Sequence, residues 1–219
     1  MLSSEQAAAM FSLQKDMNAK VDPEWIQARY PYLRAVAIEG AEAIEHHGWK
    51  WWKKQDKDLA QLQMELIDIW HFLLSEFLLR HEGNEHKALA SLTNHLEGIS
   101  SESNLNFDNQ HIQINSCDLV RKLELLIGTA IAGRIELSLF ESIMVDCELS
   151  WTEMYSQYVG KNVLNIFRQD NGYKKGSYKK IWGGKEDNEH LVEILNSLDS
   201  NSKVFREEIY SALEQSYQE

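Results

Sequence analysis

Residues 35–44 read AVAIEGAEAI and residues 64–74 read MELIDIWHFLL, so acids interrupt two otherwise apolar runs. The acids form two pairs spaced i, i+3: Glu39 with Glu42, and Glu65 with Asp68. On a helix, each pair projects from one face with its side chains about 60° apart. Burying several ionised carboxylates is costly unless a cation compensates them, and hard divalent cations bind oxygen ligands. Two such pairs on antiparallel helices therefore predict a Mg²⁺ site.

The same spacing also occurs on ordinary solvated helices, so an exposed charged face or an ion-pair network is the alternative for these acids. Two features favour the metal site: the pattern is repeated on consecutive predicted helices, and apolar residues flank both pairs. In addition, Gly40 and Ala41 leave room beside the first pair.

The composition is ordinary for a globular chain, with 219 residues of which 43% are hydrophobic and 26% charged. This length predicts one catalytic domain over residues 1–219. The formal charge of −12 argues against general binding of nucleic acid or membranes. No stretch reaches the roughly 18 uncharged apolar residues of a membrane span. Because the N-terminus does not resemble a signal peptide and Cys117 and Cys147 suit a reduced protein, we expect a cytoplasmic location.

Helical periodicity dominates the chain, and only Pro23 and Pro31 restrict it. The predicted helices run from Glu5 to Ala19, from Asp22-Pro23 to Pro31, from Tyr32 to His47, from Asp58 to His81, from Ser116 to Phe140, from Glu141 to Phe167, and once or twice within residues 190–218. Residues 85–115 are polar and predict a short helix followed by a mobile loop or insertion. Since no alternating apolar pattern of useful length occurs, the predicted fold class is all-α, a helical bundle whose antiparallel acid-bearing helices form a Mg²⁺-binding core.

Polar and aromatic residues near the acids suggest further contacts. Gln14 and Asn18 are spaced i, i+4, and their amides suit reading the edge of a planar base; two solvated polar residues are the alternative. Residues 49–54 read WKWWKK, where tryptophans could stack on a base and lysines could meet phosphate. A hydrophobic lid or a dimer contact is the alternative for this loop. His71 lies one turn beyond Asp68 on the same face, where a satisfied core histidine is the alternative.

Basic residues cluster towards the C-terminus: Arg168, Lys174, Lys175, Lys179, Lys180 and Lys185. Residues 158–178 read YVGKNVLNIFRQDNGYKKGSY, and residues 182–188 read WGGKEDN. These segments resemble the C-terminal signature of the dimeric dUTPases, which belong to the all-α NTP pyrophosphatase superfamily together with MazG-type enzymes. The resemblance extends over most of the chain, although residues 85–115 match no motif. The acid pairs mark only the superfamily, whereas the basic segment is specific to the dUTPase branch.

The resemblance implies a homodimer that hydrolyses dUTP to dUMP and pyrophosphate and also accepts dUDP. By motif, the Mg²⁺ ligands would be Glu39, Glu42, Glu65 and Asp68. The base and sugar would contact Gln14, Asn18, Trp51 and His71, with Trp49 as a rival for Trp51. The phosphates would contact Lys161, Asn165, Arg168, Lys175 and Tyr178.

Elementary chemistry agrees with such a site. More than one Mg²⁺ ion held by carboxylates can bridge phosphate oxygens and lower the pKa of a bound water. Glu42 is the predicted general base, with Glu39 as its catalytic neighbour. Arg168 and the nearby lysines would stabilise the charge of the leaving pyrophosphate.

Two other functions remain open at the level of sequence. A related pyrophosphatase with dCTP/dUTP or broader base preference would keep the same metal site, because amide side chains can serve either pyrimidine. A non-catalytic helical interaction protein could use the same scaffold, although the intact acid and basic motifs argue against it.

Overall fold

The structure, a computed structural model, describes residues 2–98, 104–200, 202 and 204–218. Its helices are α1 (Ser4–Val21), α2 (Trp25–Ala28), α3 (Tyr32–His47), α4 (Leu59–Arg80), α5 (Glu85–Glu97), α6 (Leu119–Ile131), α7 (Leu137–Asp146), α8 (Trp151–Asp170), α9 (Asp187–Ser197) and α10 (Phe205–Gln218). Its strands form two small antiparallel hairpins: β1 (Asn104–Phe107) with β2 (Gln110–Gln113), and β3 (Ile181–Trp182) with β4 (Lys185–Glu186). The predicted all-α class and helical bundle are confirmed.

The two acid-bearing helices, α3 and α4, begin and end close to their predicted bounds because local signals fix them. Gly48 follows α3 with a positive φ of 83°. The Asp58 side chain accepts a hydrogen bond from the backbone N–H of Gln61 and so caps the start of α4. The backbone N–H of Asp58 also donates to the carbonyl oxygen of His46 at 2.8 Å. The start of α4 therefore lies beside the end of α3, and the helices run antiparallel.

Helix α6 packs against α3 as well, so that α3 lies between α4 and α6. The close approach depends on Gly40, whose missing Cβ would lie 2.8 Å from Cγ1 of Ile127 on α6. Gly40, which follows Glu39, therefore allows α3 and α6 to pack closely. This role is additional to the one predicted from the sequence, which is to leave room beside the acids.

Helix α4 forms the centre of the core. Its Trp70 is fully buried, stacks on Phe140 of α7 with ring centroids 5.5 Å apart, and meets Trp151 of α8 edge-on at 5.2 Å. On another side, α1 packs against α4 and α8. The hydroxyl oxygen of Tyr158 on α8 lies 3.0 Å from the Met10 carbonyl oxygen of α1. Residues from α1, α4 and α8 are thereby brought together.

The two long helices predicted over residues 116–167 are wrong, because three helices, α6 to α8, occupy this stretch. The first break contains Gly133, which has a φ of 79°. The second break contains Glu148 in the left-handed region with a φ of 56°, followed by Ser150, whose capping box with Glu153 starts α8. Neither break contains a proline, so apolar periodicity continues across both in the sequence.

Two further predictions also need correction. Residues 104–113 form a β-hairpin around the turn residues Asp108 and Asn109, which both have positive φ, whereas the sequence predicted no strand. The loop predicted after α5 falls partly on residues 99–103, which lie outside the described residues. Helix α2 starts at Trp25 instead of Pro23, since the Asp22 side chain accepts from the Glu24 N–H in a turn.

The C-terminal helices α9 and α10 confirm the prediction of one or two helices there. Both pack together, and α10 also packs against α8. Within the described ranges, no helix combines the length and the apolar character that crossing a membrane requires.

Candidate metal and nucleotide site

Three of the predicted metal ligands meet between α3 and α4. One carboxylate oxygen each from Glu39, Glu42 and Glu65 lies within 4.8 Å of the other two. Glu65 is buried, Glu39 is half-buried and Glu42 is exposed, so the cluster opens to solvent on the Glu42 side. We call these three side chains the acid cluster. Its donor set consists of carboxylate oxygens alone, which fits a hard divalent cation, and the cluster can hold a metal ion.

The charges of the acid cluster are poorly compensated within the protein. Burial, reinforced by the neighbouring charges of Asp68, Glu65 and Glu42, raises the pKa of Glu39 to about 8. Burial and the charge of Asp68 likewise raise the pKa of Glu65 to about 7. The nearest basic group to the cluster is His46, whose Nε2 lies 3.4 Å from Glu65 Oε1. Protons therefore occupy part of the site near neutral pH, as expected of carboxylates placed to share a cation.

Asp68, the fourth predicted ligand, lies close enough to perturb Glu39 and Glu65 but is paired elsewhere. Its Oδ2 lies 3.1 Å from the ammonium nitrogen of Lys161 on α8, a side chain only 8% exposed. The structure thus brings Lys161, predicted to contact phosphate, against the edge of the acid cluster.

A cavity of about 390 Å³ adjoins Asp68. Its polar lining includes Gln14, Asn18, His71 and Asn165, and the aromatic rings of Trp25, Tyr30, Tyr32 and Phe72 form much of the remainder. Both predicted base-reading amides therefore line a cavity next to the acids. They are also buried, which excludes the alternative of solvated polar residues.

A hydrogen-bond network fixes the amide of Gln14. Its Nε2 donates to Ser75 Oγ at 2.9 Å and to Asn18 Oδ1 at 3.0 Å. Its Oε1 accepts from the Tyr158 hydroxyl and from His71 Nδ1, both at 2.8 Å. Sequence reasoning missed Ser75 and Tyr158. The signal for Ser75 was a polar residue one turn beyond His71 in an apolar helix.

His71 is buried in this network and remains uncharged. Burial, with a smaller contribution from the charge of Lys161, lowers the pKa of His71 to about 3. Its ring stacks on Tyr158 with centroids 4.2 Å apart and an interplanar angle of 28°. Its Nε2 is buried and has no hydrogen-bond partner within the described part of the chain. His71 thus has one ring nitrogen bonded to Gln14 and one buried ring nitrogen without a hydrogen bond.

The loop of residues 49–54, which contains Trp49, Trp51 and Trp52, does not line this cavity. Trp51 and Trp52 are 85% and 59% exposed, and their rings meet edge-on with centroids 4.6 Å apart. Trp49 contacts both rings, and its Nε1 donates to Glu45 at 2.8 Å. Neither Trp51 nor its rival Trp49 is brought next to Gln14 and Asn18.

The remaining predicted phosphate contacts are arranged around a residue that the sequence reasoning did not select. Arg168 donates from Nε and Nη2 to the two oxygens of Asp187, at 2.8 and 2.9 Å. The Tyr178 hydroxyl donates to the same carboxylate at 2.9 Å. Asn165 accepts from Arg168 Nη1 at 3.1 Å and also lines the cavity, whereas Lys175 is exposed. The signal for Asp187 was its place in the WGGKEDN segment.

A family model described as dUTPase matches residues 6–173. The match covers well over half of the chain, so the chain belongs to this dUTPase family, an all-α family of dUTP diphosphatases. It includes the acid cluster, Gln14, Asn18 and Arg168, and it ends before Lys175 and Tyr178. Among curated proteins, no relative matches the chain.

Proposed function

We propose that this enzyme is a Mg²⁺-dependent dUTP diphosphatase that converts dUTP to dUMP and pyrophosphate and also accepts dUDP. The observation that carries the proposal is the acid cluster beside a cavity lined by two buried amides, in a chain of the dUTPase family. We further propose that residues 1–219 act as one catalytic domain and that the chain works as a homodimer.

The cavity supports recognition of a pyrimidine base. Uracil presents alternating acceptors and a donor along one edge. Asn18 has a second amide hydrogen besides the one that it donates to Ser75, and Gln14 could contact the base by exchanging a hydrogen bond of its network for one to the base. His71, whose Nδ1 is hydrogen-bonded to Gln14, also lines the cavity. A volume of about 390 Å³ is at the small end for a ligand site and suits a nucleoside whose phosphates extend outside.

The acid cluster supports the hydrolytic step. Glu39, Glu42, Glu65 and Asp68 would hold Mg²⁺, which supplies a Lewis acid for the phosphates and lowers the pKa of a bound water. Glu42 is the exposed member of the cluster. In this proposal it would take the proton of the attacking water. Glu39, the neighbouring carboxylate of the cluster, would be the second catalytic residue beside Glu42.

The groups on and after α8 support phosphate binding. Lys161 lies at the edge of the acid cluster, and Asn165 links the cavity wall to Arg168. Lys175 and Tyr178 follow on the segment after α8. Cationic and hydrogen-bonding groups at this position would bind the phosphate chain and stabilise the leaving pyrophosphate.

The decisive experiment measures pyrophosphate or phosphate release from dUTP, dUDP, dCTP, dTTP and UTP, with Mg²⁺ and with EDTA. Cleavage that needs Mg²⁺ and strongly favours dUTP and dUDP supports the proposal. Equal cleavage of dUTP and dCTP would assign the broader pyrimidine preference instead. Absence of turnover on every substrate would overturn the catalytic proposal and favour an interaction protein.

A further inference from the structure

The carboxylate of Asp187 is hydrogen-bonded to side chains from α8 and from the segment that follows α8. It is fully buried, yet three donors converge on it: two N–H groups of Arg168 and the hydroxyl of Tyr178. Its backbone N–H donates in turn to the Lys180 carbonyl oxygen at 3.0 Å. Both the side chain and the backbone of Asp187 are therefore fixed.

The pair between Arg168 and Asp187 is strong. Burial by itself would raise the pKa of Asp187, but the hydrogen bonds and charge of Arg168 outweigh burial and hold that pKa below its ordinary value. The contact is bidentate, the geometry in which a guanidinium and a carboxylate fix each other's orientation. Asp187 thus decides which way the guanidinium plane faces.

The orientation of Arg168 matters because its other edge reaches the cavity wall. With Nε and one Nη2 hydrogen held by Asp187, Nη1 points to Asn165, which lines the cavity next to Asp68. Asp187 cancels the net charge of Arg168, and one Nη1 hydrogen is donated to Asn165, which leaves the second Nη1 hydrogen as a donor. Exposed lysines of the same segment, such as Lys175, supply net positive charge.

Tyr178 is held by the same carboxylate and by an aromatic partner. Its ring stacks on Tyr217 of α10, with centroids 5.5 Å apart and planes at 12°. Tyr217 also meets Trp182 edge-on at 4.6 Å. The segment after α8 is therefore fixed from two sides, by Asp187 and by α10.

We infer that Asp187 is a positioning residue: it presets the guanidinium of Arg168 so that the phosphate chain of the substrate meets a donor already in place, and it fixes Tyr178 beside this guanidinium. The inference rests on the proposed function, since it assigns Arg168 to phosphate. Asp187 itself touches no substrate, because its carboxylate is buried behind these two side chains. Donors fixed before the substrate arrives need no reorganisation, and a displacement of about 1 Å can cost roughly 100-fold in rate.

The test compares Asp187→Asn with the wild-type protein by calorimetric titration in Mg²⁺, using inorganic pyrophosphate and deoxyuridine separately. We expect the Kd for pyrophosphate to rise roughly 10- to 100-fold, while the Kd for deoxyuridine stays within about twofold. A purely structural role would move both constants or neither, and either result would overturn the inference. Glu193→Gln, which removes the acid of an exposed pair with Lys185, is the matched control and should change neither.

A second variant keeps the inference testable if Asp187→Asn does not fold. Arg168→Lys retains the charge but loses the bidentate contact, so it should weaken pyrophosphate binding to a similar extent. Wild-type affinity in Arg168→Lys would contradict positioning by Asp187.

The proposed function and the role of Asp187 can fail separately. A wild-type protein that turns over no dUTP refutes the proposed function, whereas the ratio of the Kd values for pyrophosphate and deoxyuridine tests Asp187 without turnover.

Discussion

The protein buries carboxylates in two places and treats them in opposite ways. At the acid cluster, burial and mutual repulsion raise the pKa values of Glu39 and Glu65. At Asp187, a more deeply buried carboxylate has a lowered pKa because Arg168 compensates it. The difference lies in the source of positive charge: a bidentate guanidinium compensates Asp187, whereas among the described residues only His46 lies within ion-pair distance of the acid cluster. A buried acid without an internal partner therefore indicates function, and a buried acid with one indicates scaffolding.

The largest effect is expected from Glu42→Gln. If the acid cluster is the catalytic centre, kcat for dUTP should fall roughly 10²- to 10⁴-fold, because the amide cannot accept the proton of water. The thermal midpoint should stay the same or rise, since one repelling charge is removed. Glu76→Gln is the control, because Glu76 pairs with Arg80 on α4 away from the cluster. Turnover close to wild type in Glu42→Gln would refute the assignment of the cluster.

Arg168→Ala should lower stability in addition to weakening the binding of phosphate groups. It leaves the fully buried Asp187 without its cation, which costs about 3–5 kcal/mol of unfolding free energy for a buried pair. Urea denaturation monitored by circular dichroism measures this loss. The double variant Arg168→Ala/Asp187→Ala should recover part of it, because the stranded charge is gone. If the unfolding free energy of Arg168→Ala were unchanged, Arg168 would not be compensating the charge of Asp187, and the contrast with the acid cluster would be wrong.

A smaller effect is expected from Gly40→Ala, which tests how the packing of α3 supports the acid cluster. The added Cβ would meet Ile127 Cγ1 at 2.8 Å, so α6 or Ile127 must shift. Overpacking of this kind costs roughly 1–3 kcal/mol, offset by about 1 kcal/mol of helix propensity. Mg²⁺ affinity measured by titration should fall along with stability. Adding Ile127→Ala should restore the affinity, and failure to do so would separate Gly40 from the geometry of the cluster.

The last expected effect is a shift in thermal midpoint with pH. In EDTA, Glu39 and Glu65 keep protons that the unfolded chain loses near its ordinary pKa of about 4.5. The folded state then binds more protons, so stability should fall as the pH rises from about 4.5 to about 8. The lowered pKa of Asp187 has the opposite sign, and its contribution is lost only below about pH 3.8. Mg²⁺ should raise the midpoint more at pH 8 than at pH 6; an equal increase would argue against metal binding at these acids.

Much of this organisation can be predicted from local sequence. The bounds of α3 and α4 follow from signals next to them, Gly48 and Asp58, and the spacing of the acids follows from the helical repeat. The breaks between α6, α7 and α8 could not be predicted, because they rest on turn conformations at residues such as Gly133 and Glu148. Periodicity alone continues through such turns.

The partners of polar residues were harder to predict than the helices. Gln14 and Asn18 share a helix face, but only the packing of α1 against α4 and α8 shows that this face is buried and meets Ser75 and Tyr158. Asp187 had no local partner in the sequence, since its bond to Arg168 spans a hairpin and a turn. Contacts of this kind depend on tertiary structure.

The neutral state of His71 separates recognition from reaction. With its pKa lowered to about 3 by burial, the imidazole stays uncharged around neutral pH. Under the proposed function, the cavity would then offer the same hydrogen-bonding groups to the nucleoside while the acid cluster titrates next to it. A pH profile would in that case report on the acid cluster, and selectivity among pyrimidines would not change with pH in the neutral range.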